Sequence, residues 1–504
     1  MFKIKHLLII VFASLGAGSL FAQDDADLLR YSMLDPVGTA RYNAMGGAFS
    51  ALGANFTTLS TNPAGIGFYT RHELSLSMGI VSQNSVSDYY GQKNSLEKVK
   101  FNIPQGGGVF CIKNANPAAG KYWSLHLGVG ANRLKDFNNN IYTKGVNTQS
   151  SYMQDVAAQS AGYDFAVQHS DVAHIGNLAY QTGLLDYLDT LNYTYESFLG
   201  KGLSQKHILQ EWGNITEMTF SFGGNWSDKV FFGLTLGVPI VDYTQKSVIE
   251  EANTAGLPLP HNFKSYKARS RMDVSGTGVN LKLGLIYKPV HFFRVGVAFH
   301  TPTYYWLKEN TDMDIVADMK YIYKDDFDME FELPRAYHIG NEDRYGLSSP
   351  LKGILSTAFL IKNFGAIAVE GEIVDYRQMR MEVDDIERNS YITDIVKKNY
   401  RLSGVLRVGT EWRVNFLSIR AGYIWQSCPY NNRLLENNWS NHTVTAGLGV
   451  NAGRWTIDFG LRAKLSKSLD NFYYLVTEDG TPLVQPAKIA SSKFLYTLTV
   501  GCKF

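Results

Sequence analysis

From Trp455 to Leu465 the chain alternates without a fault. Trp455, Ile457, Phe459, Leu461, Ala463 and Leu465 are apolar, and Thr456, Asp458, Gly460, Arg462 and Lys464 stand between them. Successive side chains of a strand point to opposite faces, so this segment predicts a strand with one greasy and one charged face. Trp123, Leu125, Leu127 and Val129 oppose Ser124, His126, Gly128 and Gly130 in the same way. So do Phe293, Val295, Val297 and Phe299 against Arg294, Gly296, Ala298 and His300, and Leu417, Ile419, Ala421 and Tyr423 against Ser418, Arg420 and Gly422. About fourteen such segments follow one another between residues 72 and 504, many of ten residues or more. Strands of soluble sandwiches run about 5–6 residues, whereas a tilted membrane strand needs roughly 9–11. In lipid, only closure into a barrel pairs every backbone group. The pattern therefore predicts an all-β chain: an antiparallel transmembrane β-barrel of about fourteen strands. The short links NWSDK, KPVH, IKNFG, EWRVNF and VNAGR read as periplasmic turns, and the longer stretches as extracellular loops.

The two ends agree with that reading. Lys3 and Lys5 precede an apolar run from Leu7 to about Phe21, and acidic sequence begins after Gln23. Residues 1–22 are thus expected to be a secretory signal peptide, which places the protein in the outer membrane of a Gram-negative cell. No later apolar run approaches the roughly 18 residues of a membrane helix. The last strand, FLYTLTVGCKF, stops on Phe504, as a signal for the barrel-assembly machinery does. A formal net charge of +2 argues against a nucleic-acid partner. Cys111, Cys428 and Cys502 form neither a disulfide framework nor a metal cluster, so no metal or cofactor is expected.

The segment TTLSTNPAGIGFYTRHELSLSM changes from small and polar to alternating at His72. Before it, Ala44, Gly46, Gly47, Ala48, Ala51, Gly53 and Ala54 allow close backbone packing, while Met45, Phe49, Leu52 and Phe56 are too apolar for a disordered linker. A barrel of fourteen strands is wide enough to need filling. This stretch, with Asn62, Pro63, Ala64 and Gly65 at its end, resembles the hatch of the FadL/TodX family of outer-membrane transport proteins. FRVGVAFHTPTYY, ELPRAYHIG, AVEGEIVDYRQM and LSIRAGYIWQSCPYNNR are similar to further segments of that family, in the family's order. The resemblance implies a hatch over 23–70, a barrel over 71–504 and passive uptake of hydrophobic small molecules such as long-chain fatty acids. It also implies capture by loops, a lumen pocket, and lateral release through a kinked strand when the hatch shifts. The partners are then the cargo and outer-membrane lipid, and the protein is expected to be a monomer.

An insertion over about 136–214 departs from the family and carries helix-like patches, making it a helical extracellular element. Leu184, Leu185 and Leu188 are the candidates for cargo capture, although the same stripe suits a lid packed on itself. Gly128 and Gly130, in the strand before it, are the candidates for the lateral opening. Glu370, Glu372, Arg407, Glu411, Arg420, Asp458, Arg462 and Lys464 face inward as an ion network, with Arg420 and Arg462 as candidate partners of a cargo carboxylate. His126 and His300 face the lumen without a neighbouring nucleophile signature, so no enzyme is expected. The alternatives are a receptor barrel for haem or another ligand, a non-transporting structural barrel, and an open polar porin.

Overall fold

The computed structural model describes residues 25–113, 123–165, 175–320, 322–324, 330–332, 336–362, 364–383, 386–431, 441–471, 473–476 and 482–504. The expected signal peptide lies outside the described residues. Fourteen strands form the wall. They are β1 (Glu73–Tyr89), β2 (Gln92–Lys113), β3 (Trp123–Asp136), β4 (Leu203–Trp226), β5 (Val230–Ala252), β6 (Ser265–Val290) and β7 (Phe293–His300). The second half comprises β8 (Lys352–Ile361), β9 (Gly365–Asp375), β10 (Leu402–Val414), β11 (Leu417–Gln426), β12 (Asn441–Ala452), β13 (Trp455–Asp470) and β14 (Ala487–Lys503). Each pairs antiparallel with its neighbours in sequence, and β14 returns to β1 in an unbroken register from Glu73↔Lys503 to Asp88↔Lys488. The barrel is closed.

Alternation sets the two faces. On β1, Leu74, Leu76, Met78 and Ile80 are each 45–48% exposed on the outside, while Ser77 between them is fully buried. At the end where Phe504 lies, Trp123, Trp226, Phe292, Phe364, Phe416 and Trp455 are exposed around the rim, forming the aromatic girdle that marks a membrane boundary. We call this the turn end, because residues 227–229, 291–292, 415–416 and 453–454 connect strands there. Several strands run on past the apolar belt at the opposite, loop end. After a break at Phe137 and Asn138, Asn139–Asn147 pairs with the first half of β4. After Thr301-Pro302-Thr303, Tyr304–Asp318 pairs with the first half of β6 and with Ala336–Ser348. Proline has no N–H for a ladder; Pro302 stands at this break, and Pro350 at the break facing it, between Ser348 and Lys352.

The lumen is filled from within. Helix α1 (Asp25–Ser32) lodges near the loop end, where Leu28 and Tyr31 pack among Phe137, Tyr243, Tyr305, Tyr345 and Tyr400. The chain then descends along β3, with Asp35 N donating to Leu134 O and Val37 N to Arg133 O at 2.9 Å each. Helix α2 (Ala40–Ala44) and two 3-10 turns (Phe56–Ser60 and Pro63–Phe68) carry it to the turn end.

The insertion differs from its helix-like pattern. Among the described residues, only α3 (Tyr152–Gln159) and α4 (Ile175–Gln181) are helical there, and Gly183 at φ 73° follows the second. The helix-like patch YESFLGKGLSQKHILQEW, residues 195–212, is strand from Leu203 on, because that part pairs with β5 on one side and with Asn139–Asn147 on the other. Leu178, Leu184, Leu185, Phe165 and Tyr195 make a core between the helices and a short hairpin, Asp186–Asp189 with Thr194–Glu196. Glu251 anchors this unit to the barrel, accepting from Tyr152 N at 2.9 Å, Tyr266 Oη at 2.8 Å and Ser151 Oγ at 2.5 Å.

Burial raises the Glu251 carboxyl above its ordinary range and pushes Asp155, only 3% exposed, up to about 6. A raised carboxyl favours the folded state while it is protonated, so its contribution is complete below pH of about 4 and lost as pH rises through about 6. For Asp155 the effect has an upper bound of roughly 3 kcal/mol. Limited proteolysis within 148–202 should therefore be slower at pH 5 than at pH 8. Asp155→Asn should remove at least half of that difference by protecting the segment at pH 8.

Candidate functional site

The plug and the wall are cut to fit each other. Asn62 caps the second 3-10 turn through Oδ1 on Ala64 N at 3.1 Å, and its Nδ2 donates to Ser50 O at 2.7 Å. Pro63 occupies the first position of that turn, where a missing N–H costs nothing. Gly65 O accepts from Ala54 N at 3.0 Å, tying the motif back across the plug. The wall approaches so closely that a Cβ on Gly233 would lie 2.3 Å from the Pro63 carbonyl carbon, and one on Gly284 2.0 Å from Asn62 Oδ1. Higher up, Thr445 Oγ1 donates to Ala44 O at 2.8 Å, and Thr499 Oγ1 accepts from Ala40 N at 2.7 Å.

Charges complete the seal. Arg41 of α2 holds Glu411 of β10 through two bonds of 2.7 and 2.9 Å, a bidentate pair across plug and wall. Arg420 Nε donates to the same Glu411 at 2.7 Å, and its Nη1 to Asp458 at 2.7 Å. Arg407 bridges Glu370 at 2.9 Å and Glu372 at 2.8 Å. Arg462 pairs with Asp35 of the descending hatch segment and donates to Pro36 O at 3.3 Å. Both arginines considered for a cargo carboxylate thus already hold carboxylates of the protein, and both are buried. A cargo anion would have to displace one.

Between β2 and β3 the wall has a seam. Strand β2 pairs with β1 along its length, but with β3 only from Lys113↔Ser124 to Gln105↔Asn132. Beyond Gln105 the ladder stops, and Pro104, which has no N–H to donate, stands next to the last pair. β3 shifts register at Arg133/Lys135 on the same level and breaks after Asp136. Side chains bridge the gap: Lys98 Nζ donates to Asn140 Oδ1 at 2.9 Å and Asn94 Nδ2 to Lys144 O at 3.0 Å. Buried polar atoms without a hydrogen-bond partner among the described residues gather here, on Gln83, Asn102, Asn132, Arg133, Asp136, Asn138 and Asn140. Such groups are rare in a settled interior. Val37 of the hatch backs the seam, packed on Val81 and Leu495.

No family model matches the chain, and no curated protein sequence matches it. Solved structures do. A FadL homologue of Pseudomonas aeruginosa aligns over 93% of this chain and 99% of its own, at 13% identity and a TM-score of 0.51. The toluene transporter TbuX of Ralstonia pickettii aligns over 92% and 98%, at 13% identity and 0.50. A deltaS2 mutant of the monoaromatic hydrocarbon channel TodX aligns over 92% and 98%, at 12% identity and 0.53.

The fold is that of the FadL/TodX-type channels.

Within this FadL/TodX-type barrel the remaining sequence candidates take definite places. Gly128 and Gly130 lie below the seam, paired on both sides, with Val109 and Gly107 on β2 and with Ser221 and Thr219 on β4. They receive the plug: a Cβ on Gly128 would sit 2.8 Å from Leu59, and one on Gly130 2.5 Å from the Phe56 ring. Leu184 and Leu185 are buried in the core of the insertion, whereas Leu188 is 64% exposed beside Leu191 at 88%. Sequence reading missed Pro104 in FNIPQGGG, which signals that a ladder is interrupted there but not on which side.

Two serine–histidine contacts also escaped it. Ser124 Oγ lies 2.9 Å from His126 Nε2 in the lumen. At the loop end, Ser247 Oγ lies 3.0 Å from His207 Nε2, whose Nδ1 is 3.0 Å from Asp470. The latter has the order of a hydrolytic triad, but acyl transfer also needs free donors for an oxyanion. The backbones of Lys246, Ser247 and Val248 are engaged by strands on both sides. The three side chains act as a tie between β4, β5 and β13.

If plug and wall hold each other by contact, filling one wall glycine should loosen the plug. Gly284→Val should raise single-channel conductance in planar bilayers while the barrel stays heat-resistant on gels. Gly353→Ala, where a Cβ meets nothing within 4 Å, should leave conductance unchanged.

Proposed function

We propose that this protein is an outer-membrane channel for the passive uptake of hydrophobic small molecules, released sideways into the membrane through the β2–β3 seam. The observation that carries the reading is the unfinished ladder above Gln105 and Asn132, in a barrel whose straight path is filled by the hatch. A pore with a packed plug is closed to polar solutes, but an apolar solute can leave water at the mouth, each Å² of burial contributing about 25 cal/mol. Capture then falls to the exposed apolar tip of the insertion, Leu188 and Leu191, with Leu184 and Leu185 supporting it from beneath. Release requires the segment Asp35–Val37 to leave β3 and expose the seam, whose unpartnered amides find water or the polar end of a cargo as it passes. Aromatic hydrocarbons, as in the TodX and TbuX neighbours, and long-chain fatty acids both suit this route. The apolar belt and the aromatic girdle support a place in the outer membrane of a Gram-negative cell.

Locking the hatch on the seam tests the release step. Val37 and Arg133 are bridge partners, a spacing that a disulfide spans. With the three native cysteines replaced by Ser, Val37→Cys with Arg133→Cys should cut uptake of labelled toluene and of dodecanoate at least tenfold under oxidising conditions, and dithiothreitol should restore it. Equal uptake by the locked and reduced forms would overturn lateral release. For capture, Leu188→Ser with Leu191→Ser should lower uptake severalfold at limiting cargo without altering gel heat resistance. Normal uptake by that variant would move capture elsewhere.

A further inference from the structure

Below the plug, at the turn end, lies a cavity of about 360 Å³ that takes no part in the route just described. That volume falls within the range of small-molecule pockets. The hatch closes its roof through Leu52, Gly53, Ala54 and the stretch from Phe68 to Arg71, and the ends of β7, β8, β9, β10 and β14 form its walls. Its charge is lopsided. Arg41, Arg71, Arg294, Lys362, Arg413 and Lys503 line it against only two carboxylates, Glu73 and Glu411. Glu411 is already shared by Arg41 at 2.7 Å, Arg413 at 3.0 Å and the deeper Arg420 at 2.7 Å, and Glu73 faces Lys503 at 3.8 Å. Arg71, Arg294 and Lys362 have no carboxylate partner among the described residues.

A second observation comes from the aromatic side of the cavity. Tyr69, 5% exposed, lines it, and its hydroxyl has no hydrogen-bond partner among the described residues. Arg294 is held in place rather than free to swing: its guanidinium donates to Leu52 O and lies 4.1 Å from the centre of the Phe68 ring. Leu52, Phe68, Leu360 and Ala366 supply apolar surface beside these donors. A recess lined by one sign of charge between low-dielectric walls focuses its field and concentrates counter-ions. Guanidinium and ammonium donors bind carboxylate and phosphate oxygens through short charge-assisted hydrogen bonds.

We propose that this turn-end cavity is a binding site for an oxyanion, a carboxylate or phosphate group carried by a small amphipath. Arg71 and Lys362 attract the group at the mouth, Arg294 holds it, and the apolar surface takes the first carbons behind it. The proposal does not depend on lateral release, because the cavity lies on the far side of the plug from the loop end.

The test uses the full-length barrel in an uncharged detergent at low salt. Hexyl phosphate, hexanoate, inorganic phosphate and hexan-1-ol are titrated calorimetrically into the wild type and into Arg71→Gln with Lys362→Gln. Both side chains are exposed, so the substitutions leave packing intact, and gel heat resistance verifies the barrel. Hexyl phosphate and hexanoate should bind at least tenfold tighter than hexan-1-ol, weaken with added salt, and lose at least tenfold in the double variant. A hexyl phosphate bearing a diazirine should label peptides containing 68–71 or 360–366. Inorganic phosphate binding as tightly as hexyl phosphate would identify a free anion as the ligand, and a tenfold preference for the alkyl form an amphipath's head. Equal affinity for the alcohol, unchanged binding in the double variant, labelling elsewhere or no binding at all would each overturn the proposal. Neutral toluene uptake should be the same in the double variant and the wild type, which separates this site from the transport route.

Discussion

A backbone in hydrocarbon has no water to bond with, so every N–H and C=O along the membrane belt must find a partner in a neighbouring strand. The register from Glu73↔Lys503 to Asp88↔Lys488 joins last strand to first and meets that demand. Much else in the molecule is a consequence. Closure at fourteen strands leaves a lumen too wide for side chains to fill alone, and the described residues ahead of β1 are spent filling it.

That filling explains two features that look unrelated. Inward glycines at Gly233, Gly284, Gly409 and Gly460 are where the plug's backbone touches the wall. Buried charges such as Arg41, Glu411, Arg420 and Asp458 fasten plug to wall and strand to strand. A buried ion pair is costly unless its partners and hydrogen bonds are complete. Here one carboxylate serves three guanidiniums, which makes removal of Glu411 a graver change than removal of any one arginine.

Against a wall so fully paired, the seam above Gln105 is a local suspension of the rule. Pro104 stands where one ladder ends, the register shift at Arg133/Lys135 interrupts the facing edge, and hatch residues 35–37 pair with β3 beside them. An unfinished ladder, buried polar side chains without hydrogen-bond partners among the described residues, and a covering hatch segment meet at one place.

Which parts of this were legible in the chain follows from how local each cause is. Solvation of a strand's two faces is a property of the strand itself, so alternation at Trp455–Leu465 and its counterparts revealed the strand number, the lipid face and the polar lumen. Small residues among Met45, Phe49, Leu52 and Phe56 likewise marked a packed plug. The spacing of Leu178, Leu184 and Leu185 showed an apolar stripe but not its fate, because burial depends on what folds over it. The helix-like pattern of 195–212 lost, from Leu203 on, to two neighbouring strands that only the tertiary structure supplies. Arg41 meets Glu411 across 370 positions of sequence, and no local rule pairs them. Nor could a proline at 104 reveal which ladder it ends. Contacts between distant segments are set by closure of the barrel, and closure belongs to the folded chain alone.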